Sequence, residues 1–88
     1  MNAKVLVIVV TYNGFYWIKR CLDSLKESIL QVDCITIDNG STDGTQRFIL
    51  ENYSFVKFIQ NKENNGFGSA NNIGLEYALK TDMTMYIF

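Results

Sequence analysis

Apolar and polar residues come in blocks along this chain, and the period changes from block to block. Val5 to Val10 is an unbroken apolar run rich in β-branched residues, the pattern of a strand buried on both faces of a parallel sheet. The strand is predicted over Lys4–Thr11. From Phe15 to Ile29 the apolar positions Phe15, Ile18, Cys21, Leu22, Leu25 and Ile29 recur at helical spacing, with Lys19, Arg20, Asp23, Lys26 and Glu27 mostly opposite. Val32–Ile37 predicts a second strand, which runs into a polar loop, Asp38 to Thr45, dense in turn and cap residues. A short helix through Arg47–Leu50 and a third strand at Phe55–Ile59 follow. Beyond the loop Gln60–Ser69, a helix capped by Gly68 or Ser69 carries Ala70, Ile73, Tyr77 and Ala78 on one side, with Leu75 and Leu79 widening that face. Met83–Phe88 reads as a fourth strand.

The order β-α-β-α-β-α-β calls for parallel strands joined by right-handed helical crossovers. The expected fold class is therefore α/β, three layers, with a mainly parallel sheet and helices on both faces. One local pattern competes: Asn39-Gly40 after a strand is a two-residue hairpin signal. Thr42 to Leu50 does not alternate as a returning strand should, so the crossover is preferred.

At 88 residues the chain has room for one small domain. A net charge of −1 gives no cationic field to drive nonspecific binding to nucleic acid or an anionic membrane, and no nucleic-acid partner is expected. There is no histidine, which removes Ser-His-Asp and Cys-His catalysis and His-ligated zinc. Cys21 and Cys34 lack metal or redox spacing and are expected as small buried hydrophobes in a reducing compartment; spacing alone leaves a disulfide open. The Val5–Val10 run is far short of the ~20 residues of a membrane span. No small-residue cleavage site follows it, so the expected compartment is the cytoplasm.

In open α/β sheets, ligands bind beyond the carboxyl ends of the strands. Here those ends are Thr11-Tyr12-Asn13-Gly14, Asp38 to Asp43, and Asn61 to Gly68, the most polar and glycine-rich stretches of the chain. Turn residues collect wherever strands end, so composition alone does not separate a site from ordinary loops. The particular residues favour a nucleotide. Tyr12 offers a flat face to a base, and Asp38 an acceptor for a base N–H or ribose hydroxyl. Asp43, with Ser41 and Thr42, suits a helix cap or loop pin better than a ligand contact. Gly66 and Gly68 allow close backbone approach just before a helix N-terminus, a ready site for a diphosphate. The dinucleotide and P-loop fingerprints are not met, since the first strand-to-helix turn has one glycine and Gly66 to Asn71 lacks the final one.

Three segments in order, Ile8 to Asn13, Ile37 to Thr45 and Asn65 to Gly74, make the chain similar to the nucleotide-binding half of the family 2 glycosyltransferases of the GT-A fold. The flavour resembles bacterial members related to rhamnosyltransferases. The resemblance covers essentially the whole chain. It implies a Rossmann-like fold and transfer of a sugar from a nucleotide-diphosphate donor to an acceptor glycan or lipid-linked glycan, with inversion, at the cytoplasmic face of the membrane, in cell-envelope polysaccharide synthesis. By position, Thr11 and Tyr12 would hold the base, Asp38 the base or ribose, and the segment with Asn65, Gly66, Gly68 and Asn72 would line the nucleotide and diphosphate side, with Asn13 and Asp43 in the same nucleotide-binding set. Many relatives have Arg immediately before the Asn that corresponds to Asn72; this chain has Asn71. That would leave charge neutralisation to a divalent metal, Mg²⁺ or Mn²⁺. The family's D-x-D motif for that metal is absent here and is expected after Phe88, as is the catalytic base. Residues 1–88 are thus expected to form a single nucleotide-binding subdomain, inactive alone, whose exposed apolar surface favours self-association. A receiver-like signalling module is the rival, but its acidic clusters are missing at the first and third strand ends.

Overall fold

The computed structural model describes residues 5–28, 32–80 and 84–87. Strands and helices alternate as β1 (Val5–Thr11), α1 (Phe15–Lys26), β2 (Val32–Asp38), α2 (Thr45–Asn52), β3 (Val56–Gln60), α3 (Phe67–Leu79) and β4 (Thr84–Ile87). All neighbouring pairs are parallel, in the order β3-β2-β1-β4. The chain steps outward from β1 through β2 to β3, then crosses back to lay β4 on the other side of β1. Strand order therefore reverses between β1 and β4, which opens a crevice at their carboxyl ends.

The unbroken apolar run of β1 is explained by its place in the middle. Val7 and Val9 pack with Cys34, with Ile18 and Leu22 of α1 and with Ile49 of α2. Leu6, Ile8 and Val10 pack with Ile35, Ile37 and Ala70 of α3 on the opposite face. Each fully buried aliphatic side chain contributes roughly 1.5–3 kcal/mol, so a strand with two such faces anchors both helix layers. The outer end of α2 is tied to α1 by Tyr53, whose hydroxyl donates to Asp23 Oδ1 at 2.6 Å. That bond and the one from Lys19 hold the Asp23 carboxyl below its ordinary value, while burial and the Asp23 charge push the Tyr53 phenol up.

The preferred crossover after β2 holds, and two expectations change. The Asn39-Gly40 hairpin does not form, because β2 and β3 are parallel with α2 between them. Helix α3 begins at Phe67 with Gly66 as its N-cap, not Gly68 or Ser69. Gly66 has φ 91° and ψ 157°, a conformation essentially closed to other residues, and the chain can turn into the helix there. Leu79 does not widen the buried face; it is 85% exposed. Nine residues beyond Ala70, at about 100° per residue, it falls on the opposite side of the helix. The face is completed instead by Gly74, where an added Cβ would meet Ile8 Cγ2 at 2.7 Å, so the backbone of α3 rides directly on β1.

Lys4, Ile29, Met83 and Phe88 lie outside the described residues. Both cysteines are free, and burial pushes the Cys34 thiol up to about 11. Among the described residues no helix is long and apolar enough to cross a membrane.

Candidate functional site

Thr11, Asp38 and Gln60 end their strands in one register row across the rim. Thr11 and Asp38 are buried. Asp38 Oδ1 accepts the Ser41 N–H at 2.9 Å, an ordinary Asx turn. Its Oδ2 and the neighbouring Thr11 Oγ1 have no partner among the described residues. A buried polar atom left unpaired costs about 1–3 kcal/mol. Two on adjacent strand ends give the rim hydrogen-bonding capacity that the described residues do not use.

Tyr12 comes next along the chain and is half exposed. Asn13 follows with φ 49°, in the left-handed region that Asn tolerates better than most. It clasps the next loop: its N–H donates to Ser41 Oγ at 2.8 Å, and its Oδ1 accepts the Thr42 N–H at 2.7 Å. Asp43 lies at the start of two helices. Its Oδ2 accepts the Phe15 N–H of α1 at 3.2 Å, and its Oδ1 accepts the N–H and hydroxyl of Thr45 in α2. Burial would raise this carboxyl, but the Thr45 hydroxyl and the Thr45 and Phe15 amides outweigh it, and its pKa lies below the ordinary value.

The loop from β3 to α3 is tethered by a residue that sequence inspection passed over. Asn39 is 2% exposed. Its Nδ2 donates to Asn64 Oδ1 at 3.3 Å and to the Gly66 carbonyl at 3.1 Å, and its Oδ1 accepts from Asn61 Nδ2 at 2.9 Å. Next to it Gly40 has φ 96°, and an added Cβ would stand 3.1 Å from Glu63 Cα, so the loop backbone passes directly over it. The signal in the sequence is an amide right after a strand-ending acid, with an Asn-rich loop downstream. The pairing spans 22 to 27 residues and is not legible without the fold.

Beyond Gly66, residues Asn65, Gly68, Ser69 and Asn72 are exposed. Among the described residues no side chain caps α3, and its first turn holds no acid, so none of them compensates the positive end of its dipole. The Oδ1 of Asn71 is buried without a partner among the described residues. A separate cleft of about 640 Å³ is lined by Asn13, Gly14, Phe15, Tyr16, Trp17 and Asp43. It shares Asn13 and Asp43 with the sequence-predicted set, but the Asp43 carboxylate in its wall disfavours a phosphate. Among the described residues no group of three or more His, Cys, Asp or Glu side chains comes together. Mg²⁺ is usually held by one or two carboxylates together with substrate phosphates and waters, and of that set the described rim offers one unpartnered carboxylate oxygen, Asp38 Oδ2.

Residues 6–87 match the profile of Glycosyl transferase family 2. The chain belongs to that family. It is 39% identical over 72 residues to chondroitin synthase of Escherichia coli, covering 77% of this chain and 10% of that protein. It is 36% identical over 73 residues to an N-acetylglucosaminyl-diphospho-decaprenol L-rhamnosyltransferase of Mycobacterium tuberculosis, covering 82% and 24%. Among solved structures, the mannosyltransferase PcManGT of Pyrobaculum calidifontis in complex with GDP-Man and Mn²⁺ superposes with a TM-score of 0.73 at 27% identity, covering 88% of this chain and 25% of that one. This member of family 2 thus spans between a tenth and a quarter of the length of these relatives, and its three-layer architecture is that of a GT-A half.

Proposed function

We propose that this chain is the donor nucleotide-binding part of a transferase that moves a sugar from a nucleotide-diphosphate sugar to a hydroxyl of an acceptor glycan or lipid-linked glycan, with inversion. The observation that carries this is the pair of unpartnered atoms, Asp38 Oδ2 and Thr11 Oγ1, at adjacent strand ends, one tethered loop away from an uncapped helix. A nucleotide has chemistry for both places. Its base and ribose offer N–H and O–H donors to Asp38, and its diphosphate offers anionic oxygens to the amides of Phe67, Gly68 and Ser69. Tyr12 supplies the flat face for the base. Asn65, Gly66, Gly68 and Asn72 line the diphosphate side. Asn13 and Asp43 form the frame: their oxygens hold the two loops together and leave the ligand to their neighbours. Asp38 Oδ2 is buried, so ligand binding there requires the rim to open.

The Pyrobaculum relative holds GDP-Man and Mn²⁺, which supports a nucleotide-diphosphate sugar as donor and a divalent cation in the whole enzyme. The cation's ligands and the base that deprotonates the acceptor would come from sequence outside the described residues, with residues 1–88 inactive alone. Family 2 relatives include the teichoic acid poly(glycerol phosphate) polymerase of Staphylococcus epidermidis, in keeping with a role in cell-envelope polymers.

Calorimetric titration with UDP, dTDP and GDP, with and without Mn²⁺, tests the reading. The unsubstituted chain should bind at least one of them weakly. Asp38→Asn keeps an oxygen for Ser41 and replaces Oδ2 by an NH₂ group; affinity should fall at least about tenfold. Unchanged affinity in that variant removes Asp38 from the site, and no binding of any of the three overturns the reading itself.

A further inference from the structure

Of the segments that meet at this rim, the β3–α3 loop has the least packing to hold it. Residues 62–69 are all exposed, yet they lead into the helix whose first amides the nucleotide site depends on. Their conformation rests on hydrogen bonds that converge on one buried side chain. Asn39 donates to the carbonyl of Gly66, the N-cap residue of α3, which also accepts the first helical bond, from Ala70, at 3.3 Å. It donates as well to Asn64 Oδ1, which in turn accepts the Gly66 N–H at 2.8 Å. Both backbone groups of Gly66 are therefore set, one directly and one through Asn64. The start of the loop is fixed from the same place, by Asn39 Oδ1 on Asn61 Nδ2 and by the Asp38 carbonyl on the Asn61 N–H at 2.8 Å. The backbone N–H of Asn39 donates to the Thr11 carbonyl at 2.9 Å, so its own position is held by the sheet.

We propose that Asn39 is the positioning residue of the nucleotide site, setting the direction of the α3 amides relative to Asp38 so that base and diphosphate are held at once. This inference rests on the nucleotide-binding reading above. Asn39 itself touches no ligand. Its position in the chain gives it this role: it follows the residue that meets the base and bonds the residue that opens the diphosphate helix. A clamp between two subsites has a particular signature. Loss of the clamp weakens a ligand that must reach both ends, and spares one that uses only the base end.

The test compares UDP with uridine, and GDP with guanosine, by NMR titration of the chain. In Asn39→Ala the diphosphate should lose about tenfold in affinity, the worth of one to two net hydrogen bonds, while the nucleoside holds within about twofold. Asn39→Asp keeps the acceptor for Asn61 but turns an acceptor oxygen toward Asn64 Oδ1 and the Gly66 carbonyl, so it should match Asn39→Ala or exceed it. Asn64→Ala, on the exposed loop, carries the same comparison if the buried variants do not fold. Equal losses for nucleoside and diphosphate, or a loss in neither, overturn the clamp. Amide exchange gives a readout without ligand: the Gly66 N–H should exchange faster in each variant, and unchanged exchange also overturns it. If the unsubstituted chain binds none of these ligands, the nucleotide reading fails, and the exchange result still judges the clamp.

Discussion

Three helices begin at the same rim of the sheet, and they are finished differently. At α1 and α2 a single carboxylate, Asp43, takes an amide from each and sets a negative charge against both dipoles. All three have a glycine at the N-cap and no acid in the first turn; at α3, unlike the other two, no side chain among the described residues accepts a first-turn amide. The two capped ends are closed by the chain's own chemistry and serve stability. The third keeps its amides free, at a cost in stability that a bound anion would offset. A helix N-terminus becomes a candidate site here because its neighbours show what the chain does where no ligand is meant to bind.

The largest expected effect comes from opening the closed ends. Asp43→Ala should lower unfolding stability by about 2 kcal/mol, near the upper range for one capping residue because it serves two helices. Asp43→Asn, which keeps a single acceptor oxygen, should cost about half as much. Urea unfolding followed by circular dichroism measures both, and a loss no larger in the alanine variant than in the asparagine variant would contradict the double cap.

A pH series sharpens the same point. Asp43 and Asp23 both have folded pKa values below the ordinary carboxylate value of about 3.9. A depressed folded pKa contributes stability that is fully present above the unfolded value and is lost as pH falls through the folded one. Stability should therefore fall as the pH drops below the ordinary carboxylate value. Asp43→Ala should show a shallower drop there, and an unchanged slope would mean that the carboxylate's bonds carry no weight.

The smallest stability effect comes from closing the open end. Ser69→Glu places an acid in the first turn of α3 and should raise stability by roughly 0.5 kcal/mol. The same change should weaken nucleoside diphosphate binding at least about tenfold, because the new carboxylate competes for the same amides. A gain in stability with binding retained would separate the helix end from the ligand.

Much of this could be read along the chain. The β1 run, the α1 spacing and the Asp38–Thr45 loop each state their structure locally, and the order of elements fixes the parallel sheet. Asp43 as a cap was legible because Asp, Ser and Thr before a helix have a local use. The start of α3 was misplaced because its cap is a glycine whose backbone conformation, not a side chain, makes the turn. Leu79 misled because hydrophobicity was counted without its angle around the helix. Asn39 was out of reach for a different reason: its partners Asn61, Asn64 and Gly66 meet it only after β3 has paired with β2. The unpartnered oxygen of Asp38 is likewise a property of the packed rim and not of the residue type.

The most direct test follows backbone amides of the ¹⁵N-labelled chain by NMR during titration with UDP and with GDP, in Mg²⁺. The Phe67, Gly68 and Ser69 amides should shift together with Tyr12, while the Phe15 and Thr45 amides under Asp43 stay in place. Shifts centred on Phe15 and Thr45, with α3 unmoved, would contradict a nucleotide held at α3.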